Sequence, residues 1–524
     1  MRKLFNFSNH VITGIWAALF GLTLYCVWVH SDLAIGDNWT YGQSTTMLTS
    51  GWLMAVIAIA IACYAFPKVS AGFHLVFVAH QVRTASILFG VVVIGQIIFI
   101  AFVHPVTGFD AGMLHWAATS AKMAAEPDTR GYFSLNQNNL PIMLVMHWLS
   151  VKTGWSSWEF FDYVTMILTD LSALLNMLVV YLFNKKALGA SIYLQAAWLG
   201  LFPWILIPYS DTWVLPEVSL LFLGYIVIQK TSHLWLKGLC GLLLGIDTVV
   251  IYFNKPSSFI PLIAMIIVEC LWWLVTKHQV TKRGIVSILV ISGLFIGGAA
   301  GTYKTVKSKV AAQTWIQVDA SRNIPAIHFM AMGVYAQGGY MWQQATAMSW
   351  LPTKQQKTDY SIKMLTKKLK QRGAWGYFKF LMYKQGNNTA NGTFDWLKEG
   401  HFWMENQKPK ERNFSELLKN FIFLYGRNVE DYRFAAQVWW VTLLGFIAIM
   451  AVGPRRKDTQ MFRVALVGGF VFLLMFEGGR SRYMIQFLPI LLIQSSLCAG
   501  PAIRRVRSWF AWGSDQLLAH HEHA

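Results

Sequence analysis

The chain has 524 residues, of which 55% are hydrophobic and 13% charged, with a formal net charge of +19. Soluble proteins usually carry about 25% charged residues, so this composition excludes an ordinary soluble globular protein. The excess of positive charge indicates anionic surroundings, such as acidic lipid, a polyanionic polymer or a phosphate-bearing substrate. All five cysteines fall inside apolar runs without a CxxC pair, which argues against a disulfide framework or a zinc site.

About 12 apolar runs are long enough to cross a bilayer core as helices. The first run has no clear small-residue cleavage site after it, so we interpret it as a retained helix and not as a signal peptide. We therefore predict an all-α polytopic membrane protein. The predicted helices lie near residues 11–30, 51–66, 84–104, 161–183, 190–207, 213–229, 235–252, 257–276, 284–303, 436–453, 462–477 and 483–500.

The loops between these helices alternate in charge. If the N-terminus lies in the cytoplasm, the Lys and Arg residues of the short loops fall on the inner side. The first outer loop, residues 31–50, has Asp but neither Lys nor Arg. This distribution follows the positive-inside rule and predicts a multi-pass cell-membrane protein with both termini in the cytoplasm. The basic residues on the predicted inner side are Lys68, Arg83, Lys185, Lys186, Lys230, Lys237, Lys277, Lys282, Arg283, Arg455, Arg456, Lys457, Arg504, Arg505 and Arg507.

Two outer segments interrupt the run of helices. Residues 140–151 are apolar but few, and we predict an interfacial helix there, because a crossing would place Lys185 and Lys186 outside. A true span is the alternative. The second segment is long, polar and rich in Lys, and we predict that it folds as a mixed or helical extracytoplasmic domain. The predicted parts are a transmembrane catalytic module at 1–303 with an outer loop at 105–160, the extracytoplasmic domain at 304–434, C-terminal helices at 435–503 and a cytoplasmic tail at 504–524.

Polar and ionisable residues collect at the predicted outer ends of the helices. Such groups are costly at membrane depth, and they usually face a bundle interior or an aqueous cavity. Because they share one side of the membrane, we predict one polar cavity at the outer surface. The residues are Asp110, Asn136, Asn138, Asn139, Asp211, Glu217, Lys255, Glu477, Arg480 and Arg482.

Each of these residues also has a local explanation. Asp110 fits a helix-end or turn residue, and Asp211 fits the N-cap of the helix that follows it. Lys255 fits a side chain that snorkels to the interface. Arg480 and Arg482 fit anchors for lipid head groups, but two guanidiniums also suit a phosphate or diphosphate.

Other chemical motifs are missing or weak. No GxGxxG fingerprint, P-loop or Ser-nucleophile elbow occurs, which argues against nucleotide hydrolysis or a cytosolic nucleotide-sugar site. His115 and His328 show no metal-ligand spacing with a second His or Cys. A satisfied structural histidine is the favoured interpretation of His328, and a substrate contact is the alternative.

Five stretches, in this order, resemble the GT-C glycosyltransferases of the protein O-mannosyltransferase and aminoarabinose-transferase type. They are GFDAG (108–112), YFSLNQNNLP (132–141), YSDTWVLPE (209–217), NKPSSFIPLIA (254–264) and GRSRYMIQFLPILL (479–492). The resemblance implies a GT-C-like fold that transfers a sugar, with inversion, from a polyprenyl-phosphate donor to an extracytoplasmic acceptor. It implies a bacterial cell-envelope enzyme, whose acceptor is a glycopolymer such as teichoic acid, a lipid or a protein. It implies neither a metal nor another cofactor, and no nucleic-acid partner.

The resemblance also assigns roles to residues. Asp110 is the leading candidate for the base that accepts the proton of the acceptor hydroxyl, and Asp211 is the other candidate. The chain departs from the family pattern because Asp110 has no adjacent acid and because two helices precede the one that leads to it. The predicted donor-phosphate residues are Lys255, Arg480 and Arg482. The predicted substrate-binding residues are Tyr132, Asn138, Asn139, Glu217 and His328, with Trp213 and Trp403 as further candidates for stacking on a sugar.

Three other functions compete with glycosyl transfer. A transporter or flippase of lipid-linked saccharide is the main alternative, although transporters tend to have repeated halves and charges at the midplane. A polymerase or ligase of lipid-linked polysaccharide is the second. A non-enzymatic assembly protein is the third, and the shared polar face argues against it.

Overall fold

The computed structural model describes residues 2–38, 43–275, 281–396, 398, 409, 412–451 and 457–521. The chain is an all-α polytopic membrane protein, as predicted, and one short antiparallel pair joins β1 (Asp37–Asn38) to β2 (Gln43–Ser44). The helices are α1 (Arg2–Trp28), α2 (Met47–Ala65), α3 (Pro67–His74), α4 (Gln81–Phe102), α5 (Phe109–Thr119), α6 (Ala121–Ala125), α7 (Pro127–Leu135), α8 (Leu140–Thr153), α9 (Trp158–Phe183), α10 (Leu188–Gly200), α11 (Ser210–Trp213), α12 (Leu215–Lys230), α13 (Leu234–Asn254), α14 (Ile260–Val275), α15 (Lys282–Ala312), α16 (Ala326–Met332), α17 (Trp342–Ser349), α18 (Lys354–Thr389), α19 (Phe414–Ile422), α20 (Val429–Ile449), α21 (Lys457–Met475) and α22 (Leu488–His521).

Within the described residues, 11 helical segments are long and apolar enough to cross a membrane. A bilayer core offers no water to backbone polar groups, so each apolar run satisfies them internally as a helix. Eleven of the 12 predicted runs therefore match these segments, although several helices extend further than predicted. The segments are Phe7–Trp28, Met47–Ala65, Gln81–Phe102, Trp158–Phe183, Ser210–Lys230, Leu234–Asn254, Pro256–Val275, Gly284–Ala312, Val429–Ile449, Lys457–Met475 and Ser481–Trp509.

The fifth predicted helix, 190–207, is not one continuous span. The chain forms α10, which has 13 residues, and then a 3₁₀ turn at Pro203–Leu206. Pro203 has no amide hydrogen to donate and its ring crowds the preceding turn, so an α-helix does not continue through it. A broken segment therefore leads from the end of α9 back to α11.

Both ends of the bundle are joined by ion pairs between helices. Lys255, after α13, and Arg482, before α22, both reach Asp211 in α11, and we call this end the site end. At the opposite end, Lys457 of α21 lies 2.6 Å from Glu269 of α14. A large apolar core of buried side chains fills the bundle between the two ends.

The charge pattern places the site end on the outside, and this orientation remains a prediction. One membrane-spanning helix separates each described basic loop from a segment at the site end. The described basic loops therefore lie at the opposite end of the bundle. Lys277, Arg455 and Arg456 of the predicted inner loops lie outside the described residues.

α13 and α15 pack closely through glycines. A Cβ on Gly241 would lie 2.7 Å from the carbonyl oxygen of Ile291, and one on Gly245 would overlap the carbonyl oxygen of Phe295. Small residues allow backbones to approach in this way between membrane helices. These glycines therefore set the distance between the two helices.

The loop between α4 and α9 stays at the site end. It forms α5 to α8, and α8 has only 14 residues, too few to cross a bilayer core. Leu140 and Met143 of α8 are buried, whereas Trp148 and Val151 are exposed. α8 is thus a short helix with one buried face, and its interfacial position remains a prediction.

The predicted extracytoplasmic domain contains the end of α15, helices α16 to α19 and the start of α20. α16, α17 and α18 enclose a small separate apolar cluster that includes Met332, Met348 and Met364. The last turns of α18 pack instead against α1, where Gln385 Nε2 donates to Thr23 Oγ1 at 3.0 Å. The boundaries 304–434 remain a prediction.

Candidate active site

Four charged side chains from separate parts of the sequence form one network at the site end. Lys255 Nζ lies 2.5 Å from Asp211 Oδ1, and Arg482 Nε lies 3.3 Å from Asp211 Oδ2. Arg482 Nη2 also lies 3.6 Å from Asp110 Oδ2. Buried charges are tolerated at membrane depth when they are paired, so two carboxylates and two cations compensate one another here.

The two carboxylates differ in exposure. The Asp211 side chain keeps 1% of its surface exposed and lies between the two cations. The Asp110 side chain keeps 31% of its surface exposed. Asp211 therefore acts as the internal counter-ion of the network, while Asp110 is open to a molecule that approaches the site end.

The backbone around Asp110 is unusual. Phe109, which begins α5, has a φ of +52°, a value that residues other than glycine rarely adopt. A Cβ on Gly112 would lie 2.6 Å from the carbonyl oxygen of Thr107, so this turn requires glycine. Backbone strain of this kind is concentrated at functional sites, where the surrounding structure maintains it.

Two tyrosines and two asparagines continue the network from Asp110. Tyr132 Oη donates to Asp110 Oδ1 at 2.7 Å, and Asn139 Nδ2 donates to Tyr132 Oη at 2.5 Å. Asn139 Nδ2 also lies 3.4 Å from Tyr209 Oη, and Asn138 Nδ2 donates to Asn139 Oδ1 at 3.1 Å. Burial, and then the charge of Asp110, raises the pKa of Tyr132 well above its usual value, so the phenol remains a donor.

Aromatic rings cover the cations. The Arg482 guanidinium lies 5.7 Å from the centre of the Tyr209 ring and 5.3 Å from that of Tyr483. Lys255 Nζ lies 5.6 Å from the centre of the Tyr483 ring. These cation–π contacts hold the positive charges close to the two carboxylates.

The loop before α22, residues 476–482, is shaped by contacts with α18 and the segment after it. Gly479 has a φ of +74°, and its N–H donates to Asn388 Oδ1 at 2.5 Å. The Ser481 N–H donates to Asp395 Oδ2 at 2.6 Å. The two arginines on either side of Ser481 are therefore carried by a backbone that is fixed on both sides.

Glu477 and Arg480 lie on the same loop. Glu477 accepts a hydrogen bond from Tyr483 Oη. Burial raises the pKa of Glu477, and the positive charges of Arg480 and Arg482 offset part of that effect. Arg480 is thus a further positive charge close to the four-residue network.

Tyr340 reaches the site from the predicted extracytoplasmic domain. Burial raises the pKa of Tyr340, and the charges of Glu477 and Asp110 raise it further, while a hydrogen bond with Asn136 opposes them. The segment before it is tied down by Lys384, whose Nζ donates to the carbonyl oxygen of Gly333 at 2.7 Å. Tyr340 therefore lies near the network, on a segment that Lys384 holds in place.

Glu217 lies beside the network. Asn254 Nδ2 donates to Glu217 Oε1 at 3.0 Å, and Asn254 directly precedes Lys255. Trp213 is buried, and its Nε1 donates to Thr165 Oγ1 at 2.9 Å. Trp213 therefore packs against α9 and is not free to stack on a sugar, and Trp403 lies outside the described residues.

His328 lies apart from the charged network and packs against α18. It is fully buried, and its Nδ1 lies 3.0 Å from Ser361 Oγ of α18. Burial lowers its pKa to about 4, so the ring is neutral near neutral pH. These contacts fit the structural interpretation and not the predicted substrate contact. Among the described residues, no three His, Cys, Asp or Glu side chains are grouped so that they could hold a metal ion.

Sequence reasoning missed Tyr209 and Tyr340. Tyr209 stands two residues before Asp211 and opens the stretch YSDTWVLPE (209–217), so its position is a usable signal. Tyr340 follows Gly338 and Gly339 in a long polar segment, where nothing in the sequence links it to Asp110. Only the folded chain reveals its contribution.

Comparison with known proteins gives one match, which covers nearly the whole chain. Residues 4–503 match the model of a protein family that is described as conserved hypothetical integral membrane protein. The chain belongs to this family. No curated protein and no solved structure matches the chain. The family assignment confirms an integral membrane protein.

Proposed function

We propose that this protein is a membrane glycosyltransferase of the GT-C kind, which moves a sugar from a polyprenyl-phosphate donor to an acceptor in the cell envelope. The observation that carries the proposal is the convergence of Asp110, Asp211, Lys255 and Arg482 in one network at the site end. Sugar transfer from a lipid phosphate needs a positioned base and fixed positive charge for the leaving phosphate. Both kinds of group are present together.

The base in this proposal is Asp110 and not Asp211. A base must reach the hydroxyl that it deprotonates, to within about 3 Å. Asp110 has an exposed side-chain surface, whereas Asp211 is enclosed between Lys255 and Arg482. Asp211 then serves to hold the two cations in place.

The cations stabilise the negative charge of the leaving phosphate in this proposal. Arg482 and Lys255 are already neutralised in part by the two carboxylates, and Arg480 adds a further positive charge on the same loop. A guanidinium can hold phosphate oxygens by paired hydrogen bonds, and a fixed charge stabilises the developing anion without reorganisation. Protonation of the leaving group is unnecessary, because the product is a phosphate.

The proposed reaction is a single inverting displacement. The acceptor oxygen forms a bond to the anomeric carbon while the bond from that carbon to the phosphate oxygen breaks. The electron pair of the broken bond stays on the lipid phosphate, next to Arg480 and Arg482. The hydroxyl proton passes to Asp110, while Tyr132 and Asn139 keep that carboxylate in position. Asn138, Asn139 and Glu217 are the proposed partners of sugar hydroxyls.

The test is a reconstituted assay. Purified protein in vesicles receives a panel of polyprenyl-phosphate sugars and envelope acceptors, and released polyprenyl phosphate is measured. Release that requires both the protein and an acceptor supports the proposal. Movement of the intact lipid-linked sugar to the other leaflet, without release, would identify a transporter and contradict it.

A further inference from the structure

Lys384 of α18 is a buried lysine that the proposed reaction does not use. Its side chain has no exposed surface. Its Nζ donates to three backbone carbonyl oxygens, those of Gly333 at 2.7 Å, Leu474 at 3.2 Å and Phe476 at 2.6 Å. An ammonium group has three donors and no acceptor, so these three carbonyls satisfy it completely. A buried charge without partners is costly, so these contacts determine where the side chain lies.

The three carbonyl oxygens stand at the ends of two helices. Leu474 belongs to the last turn of α21 and Phe476 follows that helix, while Gly333 is the C-cap of α16. The last carbonyl groups of a helix have no partner within it, and positive charge beside them is favourable. Lys384 therefore joins the end of a membrane-spanning helix to the end of a helix in the predicted extracytoplasmic domain.

Two segments enclose the Lys384 side chain, residues 333–340 and residues 476–482, and we call them the glycine segment and the arginine loop. A Cβ on Gly338 would lie 2.4 Å from Lys384 Cε, and one on Gly478 would lie 3.2 Å from the same atom. The two segments also bond to each other, because the Gly478 N–H donates to the Gly338 carbonyl oxygen at 2.8 Å. The lysine thus fills a gap that only glycine leaves open.

Both segments carry side chains of the candidate site. The glycine segment ends in Tyr340, and the arginine loop carries Arg480 and Arg482. A Cβ on Gly339 would lie 3.3 Å from Arg480 Nε, so Arg480 packs directly against the glycine segment. Because Lys384 bonds to both segments, it sets the position of these arginines relative to the extracytoplasmic side of the site.

The protonation of Lys384 determines how many donors it offers. Burial lowers its pKa to about 7, and the negative charge of Glu477 opposes that effect. Hydrogen bonds from the ammonium group to the carbonyls favour the charged form. The neutral amine has only two donors, so one carbonyl would lose its partner. Experiments on Lys384 are therefore best done at pH 6, where the ammonium form dominates.

We propose that Lys384 is a positioning residue of the candidate site, which holds the arginine loop where Arg480 and Arg482 can meet the phosphate of the lipid donor. The identity of that ligand rests on the proposed function, whereas the contacts of Lys384 do not. Lys384 touches no substrate itself, because it is buried and its donors are bound to backbone carbonyls. A displacement of about 1 Å at a distance from the chemistry can cost about 100-fold in rate, so losing this anchor affects the site.

The test compares Lys384→Met with Lys357→Met in the full chain at pH 6, in nanodiscs of phosphatidylcholine. Methionine keeps a long flexible stem but has no donor. Lys357 is the matched control, because it is also buried in α18 and donates to a backbone carbonyl, that of Ser321, outside the arginine loop. If Lys384→Met does not fold, Lys384→Gln, which keeps a polar end, takes its place.

Two quantities are measured for each protein. The first is amide hydrogen exchange in residues 476–482, which needs no ligand. The second is the Kd for polyprenyl phosphate, with polyprenol as the probe that lacks the phosphate. A general loss of structure would weaken the binding of both lipids, whereas a displaced arginine loop affects the phosphate alone.

In Lys384→Met we expect several-fold faster exchange in the arginine loop and a Kd for polyprenyl phosphate at least about 10-fold higher, with the Kd for polyprenol unchanged. Lys357→Met should match the wild-type protein in both. Unchanged exchange in Lys384→Met would overturn the role as an anchor, and faster exchange with an unchanged Kd for polyprenyl phosphate would overturn the link to the phosphate. If the wild-type protein binds polyprenyl phosphate no more tightly than polyprenol, the proposed function fails, while the exchange result still decides whether Lys384 holds the loop.

Discussion

Asp211 is the most enclosed charge of the candidate site, and its surroundings determine what its removal does. It lies within ion-pair distance of both Lys255 and Arg482 and has almost no exposed surface. Removing one partner of a buried ion pair leaves an uncompensated charge, which costs more than the pair itself contributes. Asp211 and Asp110 should therefore respond differently to the same substitution.

We expect Asp211→Asn to lower the free energy of unfolding by about 3–5 kcal/mol, because Lys255 and Arg482 then lose their shared carboxylate. Asp110→Asn should change it by less than about 1 kcal/mol, because that side chain is partly exposed. Thermal unfolding in detergent measures both. Equal losses in the two variants would contradict the assignment of Asp211 as the structural counter-ion.

Replacing Arg480 tests whether this loop binds the donor phosphate, and it leaves the ion pairs of Asp211 with Lys255 and Arg482 intact. Arg480→Met should raise the KM for the donor at least about 10-fold, since a charged hydrogen bond contributes about 1.5–3 kcal/mol. The KM for the acceptor should stay the same. Arg427→Met is the matched control, because Arg427 is exposed and lies on the loop between α19 and α20. An unchanged donor KM in Arg480→Met would remove Arg480 from the phosphate site.

His115 supplies a pH prediction. It is buried and stacked on Trp158 with the ring centres 3.9 Å apart, and burial lowers its pKa to about 4. Between pH 6.5 and 4 the His115 ring is protonated in the unfolded chain but stays neutral in the folded chain. The free energy of unfolding therefore falls as the pH falls. From pH 6.5 to 5 this loss amounts to about 2 kcal/mol.

The matched variant for this prediction is His115→Phe, which keeps an aromatic ring against Trp158. His328, whose pKa burial also lowers to about 4, remains in both proteins and cancels in the comparison. Unfolding is followed at pH 7 and pH 5. An identical pH dependence in both proteins would show that His115 is not held neutral by its surroundings.

At the scale of elements, the glycines between α13 and α15 set a helix distance. Gly245→Ala should lower the free energy of unfolding by about 1–3 kcal/mol, because its Cβ would overlap the Phe295 carbonyl oxygen. Gly297→Ala, on α15 with open space around it, should leave stability the same or raise it by up to about 1 kcal/mol. Thermal unfolding of the pair decides this, and losses of equal size would contradict it.

The elements also indicate what a sequence can predict. Runs such as 84–104 are apolar on all sides, and their length alone predicts the span Gln81–Phe102. α10 is different, because a helix end at Pro203 interrupts an otherwise apolar run.

At the scale of the whole molecule, the convergence of the site could be predicted only in part. Charge in the loops predicted one common face for Asp110, Asp211, Lys255 and Arg482, and the structure places them in one network. Sidedness does not specify which groups touch, so the sequence left the base undecided. His328 had no loop charge or helix end to place it, and it packs elsewhere.

The whole arrangement gives each part of the chain a role in one site. α5 carries Asp110, α11 carries the counter-ion, and the segments before α14 and α22 carry the cations. The predicted extracytoplasmic domain supplies Tyr340 and, through Asn388, the shape of the loop that carries Arg480. Only Arg480 and Arg482 share a loop, and the other residues of this site come from separate parts of the sequence. The proposed function therefore requires the whole folded chain.

Release of polyprenyl phosphate by Asp110→Asn protein tests the central claim most directly. We expect a loss of at least about 100-fold in the rate, since a positioned base contributes about 10²–10⁴-fold. The free energy of unfolding should change by less than about 1 kcal/mol. Asp128→Asn, an exposed acid on the same loop, should retain the full rate. Full activity of Asp110→Asn under conditions where the wild-type protein releases polyprenyl phosphate would contradict the account.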